Sequence, residues 1–159
     1  MNSFSIVILT IGIPGSGKST WVKHYLQSHP LTRLVSTDAI RKELTGEYQC
    51  NPDQNEMIHD EARRRVKQYL DDWGKSSNDI GLGPEIIVDS TNVDLDEWIK
   101  YKQLGSTIIL AKVFDITPEE SMNRQKNRSR IVPKSVVEDK WVRFQSNKKY
   151  MPFIFNMIF

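Results

Sequence analysis

An α/β fold with a central, mainly parallel sheet of four to five strands, flanked by helices, is predicted by two features of this 159-residue sequence. Apolar segments of strand length alternate with segments whose apolar residues recur at helical spacing. The first apolar segment, SFSIVILTIG at 3–12, is almost continuously apolar, as is typical of a strand buried on both faces of a parallel sheet. These features favour one sheet covered by helices on both sides.

The predicted strands are short apolar runs bounded by polar or turn-forming residues. They lie at 3–12, 32–36, 85–89 and 106–116. Ligands of open parallel sheets bind beyond the carboxyl ends of the strands. The segments 12–19, 36–41 and 89–92 are therefore the first places to look for a site.

The predicted helices follow the strands, and two of them carry recognisable start signals. Thr117 and Pro118, with Glu120 three residues after the threonine, are typical of a helix N-terminus, and Asp94 with Glu97 forms a capping-box pattern. A polar loop is expected at 75–83. The other helices are predicted at 18–27, 38–44, 53–73 and 132–146, and a C-terminal helical segment is expected at 133–159.

Length and composition indicate one domain, 1–159, in a reducing compartment. Cys50 is the single cysteine, so an internal disulfide is excluded and a cytoplasmic location is expected. No apolar run approaches the ~20 residues of a membrane span, and the N-terminus lacks the basic region of a signal peptide. We expect no association with a membrane. The apolar ending, MPFIFNMIF, either packs on the sheet or forms a subunit contact.

The net charge of +2 conceals an uneven distribution. Residues 121–159 hold nine lysines or arginines against Glu138 and Asp139, so the first 120 residues are acidic overall. A basic third on an acidic body indicates a polyanionic ligand, such as nucleotide phosphates or a nucleic-acid backbone. A solvated helix face is the alternative.

The stretch GIPGSGKST matches the pattern G-x-x-x-x-G-K-[ST] between a buried strand and a helix. Backbone N–H groups of such a loop point at a phosphate, and the helix N-terminus adds partial positive charge. We expect Lys18 to reach the β- and γ-phosphates of ATP and the Ser19 hydroxyl to ligate Mg²⁺. A glycine-rich turn without a ligand is the alternative. The residues expected on the nucleotide are Gly12, Pro14, Gly15, Ser16, Gly17, Lys18, Ser19 and Thr20.

Two further segments carry candidate residues. Asp89 ends the third strand, where an acidic partner of the Mg²⁺ shell is expected, and Thr91 and Asn92 are expected either to bind a substrate or simply to turn the chain. Arg124 and Arg128 are one helical turn apart in NRQKNRSRIVP, and we predict that they clamp the transferring phosphoryl group under a lid at about 124–132. A solvated basic helix end is the alternative.

In STDAIR, Asp38 and Arg41 follow the second strand. The length of the chain excludes large motors, and no guanine-reading [NT]-K-x-D motif is present, which leaves a small phosphotransferase. Such an enzyme needs a carboxylate to take the proton of an acceptor hydroxyl. Asp38 is placed for this, and Arg41, one turn along, can pair with a phosphate beside the hydroxyl. Ordinary first-turn charges are the alternative.

These motifs, in this order from Ile6 to about Phe144, resemble the kinase module of the T-even phage 5′-polynucleotide kinase. The resemblance implies that Asp38 is the general base toward a 5′-hydroxyl and that Arg41 holds the 3′-phosphate of the terminal nucleotide. It also implies that Arg124 and Arg128 address the ATP phosphates. It further implies a role in nucleic-acid repair, in the host cytoplasm if the protein is phage-encoded.

Two features depart from that family. Ser90 stands where the phage enzyme has an aspartate before its Thr-Asn pair, and Asp89 lies one residue earlier. The phosphatase nucleophile motif D-x-D-x-[TV] is not matched by DLDEW at 94–98, so we expect a kinase without a phosphatase.

Three functions are compatible with these residues. The first is transfer of the γ-phosphate of ATP to the 5′-hydroxyl ends of DNA or RNA. The second is a kinase for a small hydroxyl metabolite, a nucleoside or a hydroxymethylated base. The third is a binding module that uses a nucleotide without catalysis, against which the acceptor base Asp38 argues.

Overall fold

The computed structural model describes residues 4–48, 51–76, 83–105 and 107–159. Cys50 and most of the predicted loop 75–83 lie outside them. The strands are β1 (Ser5–Ile11), β2 (Arg33–Ser36), β3 (Glu85–Asp89), β4 (Thr107–Val113) and β5 (Met157–Ile158). The helices are α1 (Lys18–Ser28), α2 (Thr37–Thr45), α3 (Pro52–Ser76), α4 (Leu95–Lys102), α5 (Pro118–Gln125), α6 (Lys134–Asn147) and α7 (Met151–Ile154), with a 3₁₀ turn at Lys148–Tyr150.

All five strands form one parallel sheet in the order β2-β3-β1-β4-β5, which confirms the predicted fold class. The chain leaves β1 for β2 on one side and later crosses to β4 on the other. The loop after β1 therefore lies at the point where the strand order reverses, which is where such sheets bind ligands.

Alternate residues of β1 feed two hydrophobic cores, one on each face of the sheet. Ile8 packs with α1 on one face, whereas Val7 and Leu9 face a larger core with residues of α3, α4, α6 and α7. This arrangement confirms that the continuous apolar run is a strand buried on both sides. Phe144 of α6 is buried in the larger core, so its ring does not reach the surface.

The C-terminal segment, predicted as helical from 133 to 159, ends in a strand instead. After α7, β5 pairs in parallel with β4, and the Phe159 carbonyl accepts a hydrogen bond of 2.8 Å from the Val113 N–H. The apolar ending therefore packs on the sheet as its edge strand. Among the described residues, none of the helices is long and apolar enough to span a bilayer.

Asn92 ties the carboxyl ends of β1 and β3 together. Its Nδ2 donates to the carbonyls of Thr10 at 2.9 Å and Val88 at 3.2 Å, and its own carbonyl accepts from the Trp98 indole. Asn92 is 2% exposed and adopts a left-handed φ of 45°, which asparagine tolerates better than most residues. These contacts favour the alternative that Asn92 turns the chain, because the side chain is buried and its amide nitrogen bonds two backbone carbonyls.

We expect Asn92→Ala to lower the free energy of unfolding by about 2–3 kcal/mol, because two buried carbonyls lose a donor and alanine is strained at a positive φ. Urea denaturation measures this change. The exposed Asn123→Ala is the matched control and should stay within about 0.5 kcal/mol of the parent protein. Full stability of Asn92→Ala combined with loss of ligand binding would instead support a direct ligand contact.

Glu97 joins α4 to the long helix α3. Its carboxylate accepts from the Arg63 guanidinium and lies 3.5 Å from His59 Nδ1. Burial acts to raise the pKa of this carboxyl, but His59 and Arg63 outweigh burial and hold the pKa at about 2. The predicted capping box is therefore wrong, because Asp94 makes no side-chain cap bond and Glu97 turns to α3.

We expect Glu97→Gln to cost about 2–3 kcal/mol of unfolding free energy at pH 7, because it removes one of the two carboxylates that pair with Arg63, whose side chain is only 11% exposed. The pKa of the folded state lies below the ordinary value of 4.5. The stabilisation is therefore present above about pH 4.5 and lost as the pH falls toward 2.

Urea denaturation of both proteins at several pH values between 7 and 2.5 measures this effect, and the two stabilities should converge toward the acid end. Glu56→Gln, at an exposed position of α3, is the matched control and should show little change at any pH. A gap that stays constant with pH would show that the effect does not arise from the charge of Glu97.

Candidate functional site

The glycine-rich loop after β1 lies where the sequence predicts it, between a buried strand and α1. A Cβ at Gly12 would lie 2.6 Å from the Phe114 carbonyl oxygen, so no larger residue fits without moving the backbone. Gly17 immediately precedes α1 with a φ of 101°, a conformation that glycine adopts freely. This turn aims the start of α1 at the space beyond the sheet, where an anion would meet the helix N-terminus.

Lys18 is buried inside this loop. Its Nζ donates to the carbonyls of Gly12 and Ile13 at 2.8 Å each. Burial lowers the pKa of Lys18 to about 8, and the negative charge of Asp89 acts in the opposite direction. A phosphate in the loop would supply the ammonium with a full negative charge in place of the partial charge of carbonyl oxygens.

Ser19 and Asp89 meet at the ends of α1 and β3. The Ser19 hydroxyl donates to Asp89 Oδ2 at 2.9 Å. Burial raises the pKa of the Asp89 carboxyl, while the Ser19 hydroxyl and Lys18 act to lower it. The acidic group beside Ser19 is thus that of Asp89, one residue before the position at which the phage family has its aspartate.

This pair suits a hard cation such as Mg²⁺, which prefers oxygen ligands and keeps several waters or phosphate oxygens. Within the described ranges, no three or more His, Cys, Asp or Glu side chains converge in a way that could hold a metal. A Mg²⁺ ion at Ser19 and Asp89 would therefore depend on nucleotide oxygens and water for its remaining ligands.

Asp38 and Arg41 lie on the first turns of α2, which Ser36 caps by accepting from the Ala39 N–H. The Arg41 guanidinium pairs with Asp38 Oδ1. The Arg41 side chain is only 7% exposed, whereas that of Asp38 is 57% exposed. They are thus first-turn charges that pair with one another, and they also face a cleft.

That cleft, which we call the α2 cleft, has a volume of about 490 Å³. It brings together the residues expected on the two sides of a phosphoryl transfer. Its lining includes Lys18, Ser19, Asp38, Arg41, Asp89 and Thr91. These residues thus converge on one space although they come from three different segments of the chain.

A second space, the α1 cleft, lies on the other side of the glycine-rich loop and has a volume of about 500 Å³. Thr20, Trp21 and Arg124 line it, while Arg128 borders both clefts. The Arg124 Nη1 donates to the Ser16 carbonyl at 3.3 Å, and its guanidinium also pairs with Glu120. Arg124 is therefore held against the loop, and Arg128 stands at the junction.

The loop also rests on α5 through its proline. The Ser121 hydroxyl donates to the Pro14 carbonyl at 2.6 Å, and Gly15 passes so close that a Cβ there would lie 3.1 Å from Gln125 Cγ. Pro14 and Gly15 line the α2 cleft, whereas Ser16 is buried.

Three residues that sequence reasoning did not select also line the α2 cleft: His59, Arg130 and Lys140. The Lys140 Nζ lies 3.3 Å from the Thr91 Oγ1, which places α6 against the predicted Thr91 position. Arg130 follows Arg128 by two residues, and its place in that basic run was a usable signal. His59 lies mid-helix in a polar stretch and offered none.

Several solved structures share this fold. A chain from the Pnkp1/Rnl/Hen1 RNA repair complex is 24% identical with a TM-score of 0.74, over 94% of this chain and 47% of that chain. A gluconokinase from Sinorhizobium meliloti 1021 is 14% identical with a TM-score of 0.60, over 92% of this chain and 79% of its own. A shikimate kinase from Acinetobacter baumannii is 11% identical with a TM-score of 0.58, over 99% and 83%.

The present chain spans about half the length of the RNA-repair chain. At these identities the similarities show the fold, which is that of P-loop kinases. A family model described as an AAA domain matches residues 7–149, which include the whole of the glycine-rich loop and both clefts. The chain therefore belongs to this AAA-domain family.

Proposed function

We propose that the protein is a polynucleotide kinase that transfers the γ-phosphate of ATP to the 5′-hydroxyl end of DNA or RNA. The observation that carries this proposal is the convergence of Asp38 with Lys18, Ser19 and Asp89 on the α2 cleft. A carboxylate that shares a cleft with a phosphate-binding loop has the position of a base for an attacking hydroxyl.

On the donor side, Lys18 and the loop N–H groups bind the phosphates of ATP. Ser19 and Asp89 would hold Mg²⁺, which when bound would supply positive charge beside the phosphate oxygens. Arg124 supports the loop through Ser16, and Arg128, at the junction of the clefts, binds the transferring group. We further propose that 124–132 acts as a lid, since Arg128 and Arg130 from this segment border the α2 cleft.

On the acceptor side, Asp38 takes the proton of the 5′-hydroxyl as the oxygen forms a bond to the γ-phosphorus. The bond between the γ-phosphorus and the oxygen bridging to the β-phosphate breaks, and ADP leaves with that oxygen. Arg41, which pairs with Asp38 on α2, binds the phosphate next to the hydroxyl.

A nucleic-acid acceptor is supported by the surplus of positive charge around the α2 cleft. The described residues that line the cleft include two carboxylates, Asp38 and Asp89, against five basic side chains, Lys18, Arg41, Arg128, Arg130 and Lys140. The similar chain from an RNA repair complex, at 24% identity, is consistent with this acceptor. The resemblance to the T-even phage kinase module and a cytoplasmic location form part of the same proposal.

A kinase for a small hydroxyl metabolite is the second candidate. The α2 cleft, at about 490 Å³, has the size of a small-molecule site. The gluconokinase and the shikimate kinase with the same fold also favour this candidate. Both candidates use the same donor side and the same base, so they differ only in the acceptor.

We expect Asp38→Asn to lower the rate of transfer by about 10²–10⁴-fold, because the amide cannot take the hydroxyl proton. Affinity for ATP should change little, since Lys18 and the loop are intact. Single-turnover transfer and equilibrium ATP binding measure the two effects separately. Glu43→Gln, an exposed carboxylate on the same helix, is the matched control. Retained transfer in Asp38→Asn would contradict the general-base role.

We expect label from γ-labelled ATP to appear on 5′-hydroxyl oligonucleotides and nucleoside 3′-monophosphates, and much less on free nucleosides and sugars. Oligonucleotides of the same sequence with a 5′-phosphate are the control and should accept none. Acceptor affinity should fall with salt, with a slope of about −0.7 per phosphate contact of a single strand. Label on a small metabolite alone would reassign the acceptor and leave the base and donor roles in place.

A further inference from the structure

The roles proposed above assign Arg130 no specific contact with a substrate, although it reaches the proposed base. It lies in the loop between α5 and α6, 92 residues from Asp38 in sequence, and its Nη1 is 3.4 Å from Asp38 Oδ2. Arg41 holds the other oxygen, Oδ1. The carboxylate of Asp38 is thus placed between two guanidinium groups, one from α2 and one from the α5–α6 loop.

The charges of this triad do not balance. One carboxylate faces two permanently charged guanidiniums, and the Arg41 Nε is buried without a hydrogen-bond partner. Arginine prefers planar, bidentate contacts with carboxylate or phosphate oxygens. A phosphomonoester offers three free oxygens and up to two negative charges, and a phosphodiester of a strand offers two free oxygens and one charge, so either competes with Asp38 for these two side chains.

The two arginines differ in freedom. The Arg41 side chain is 7% exposed and fixed on a helix, whereas that of Arg130 is 40% exposed and belongs to a loop. An incoming anion would therefore draw Arg130 away from Asp38 more easily than Arg41. Withdrawal of Arg130 leaves Asp38 Oδ2 open to a hydroxyl in the α2 cleft.

We infer that Arg130 is a specificity-determining residue of the acceptor side, which binds together with Arg41 the phosphate next to the acceptor hydroxyl. When Arg130 leaves Asp38 for the phosphate, recognition of the acceptor also frees the Asp38 carboxylate to act as the general base. An acceptor that lacks this phosphate leaves Arg130 on Asp38 and reacts slowly. This inference rests on the proposed function.

The test compares the parent protein with Arg130→Ala, Arg130→Lys and the control Lys149→Ala, an exposed lysine of the 3₁₀ turn at Lys148–Tyr150 that lines neither cleft. Acceptors are a nucleoside 3′-monophosphate, the free nucleoside and a 5′-hydroxyl oligonucleotide. Arg130→Ala should lose about ten- to a hundredfold in kcat/KM for the two phosphate-bearing acceptors, mainly through KM, because a charge-assisted contact is lost. The value for the free nucleoside should not fall and should rise if it changes, because Asp38 Oδ2 is then free of Arg130.

Arg130→Lys should recover part of this loss, because the charge returns without the bidentate geometry. Lys149→Ala should match the parent protein. The KM for ATP should be unchanged in Arg130→Ala, which distinguishes a loss of acceptor contact from a damaged fold or donor site.

Equal losses for all three acceptors, or a raised KM for ATP, would overturn the inference, since Arg130 would then serve the donor or the fold. A loss for the oligonucleotide but not the mononucleotide would also overturn it, because the contacted phosphate would lie farther along the strand. If the parent protein labels 5′-hydroxyls and Arg130→Ala keeps the same selectivity among the three acceptors, this inference alone is overturned. No transfer by the parent protein to any 5′-hydroxyl overturns the proposed function and this inference together.

Discussion

The position of every candidate residue depends on how the carboxyl end of β1 is held. β1 is hydrogen-bonded along both edges, to β3 and to β4, and the bonding continues past its last residue. The Gly12 N–H donates to the Thr91 carbonyl at 3.0 Å, and the Phe114 N–H donates to the Ile11 carbonyl at 2.8 Å. These hydrogen bonds join the carboxyl ends of β1, β3 and β4. The positions of Lys18 and Asp89 relative to each other are therefore set by the fold before a ligand binds.

A second set of buried polar contacts connects this fixed centre to the arginines. Ser121 bonds the Pro14 carbonyl, Gln125 Nε2 donates to Ser121 Oγ at 3.1 Å, and Gln125 Oε1 accepts from the Val132 N–H at 2.9 Å. Both side chains are fully buried, so these bonds are shielded from competing water. The α5–α6 loop is thus anchored at Gln125 and Val132. Arg128 and Arg130 lie between these two anchors, so their side chains can move while the two ends of the loop stay in place.

The sequence predicted the parts of the molecule that depend on local pattern. The buried run of β1, the start of α5 at Thr117 and the glycine-rich loop require particular residues at particular spacings, so they are legible in one dimension. Other features arise from residues 34 to 92 positions apart or from buried backbone. They are the role of Asn92, the contact of Glu97 with Arg63 and the approach of Arg130 to Asp38. No local spacing encodes such contacts, because they follow from the order in which the strands assemble.

The basic C-terminal third, taken from composition as one feature, divides into two in the structure. Arg124, Arg128, Arg130 and Lys140 line the clefts. Beyond them, Arg143 pairs with Asp94 and Asp139, and Lys148 pairs with Asp115, on the outer surface. Exposed pairs of this kind largely cancel their own field. Along α6, Lys134 pairs with Glu138 and Arg143 with Asp139, whereas Lys140 faces the α2 cleft, so the attraction of this helix for a polyanion is concentrated at that cleft. An acceptor strand would be held by its end rather than along its length.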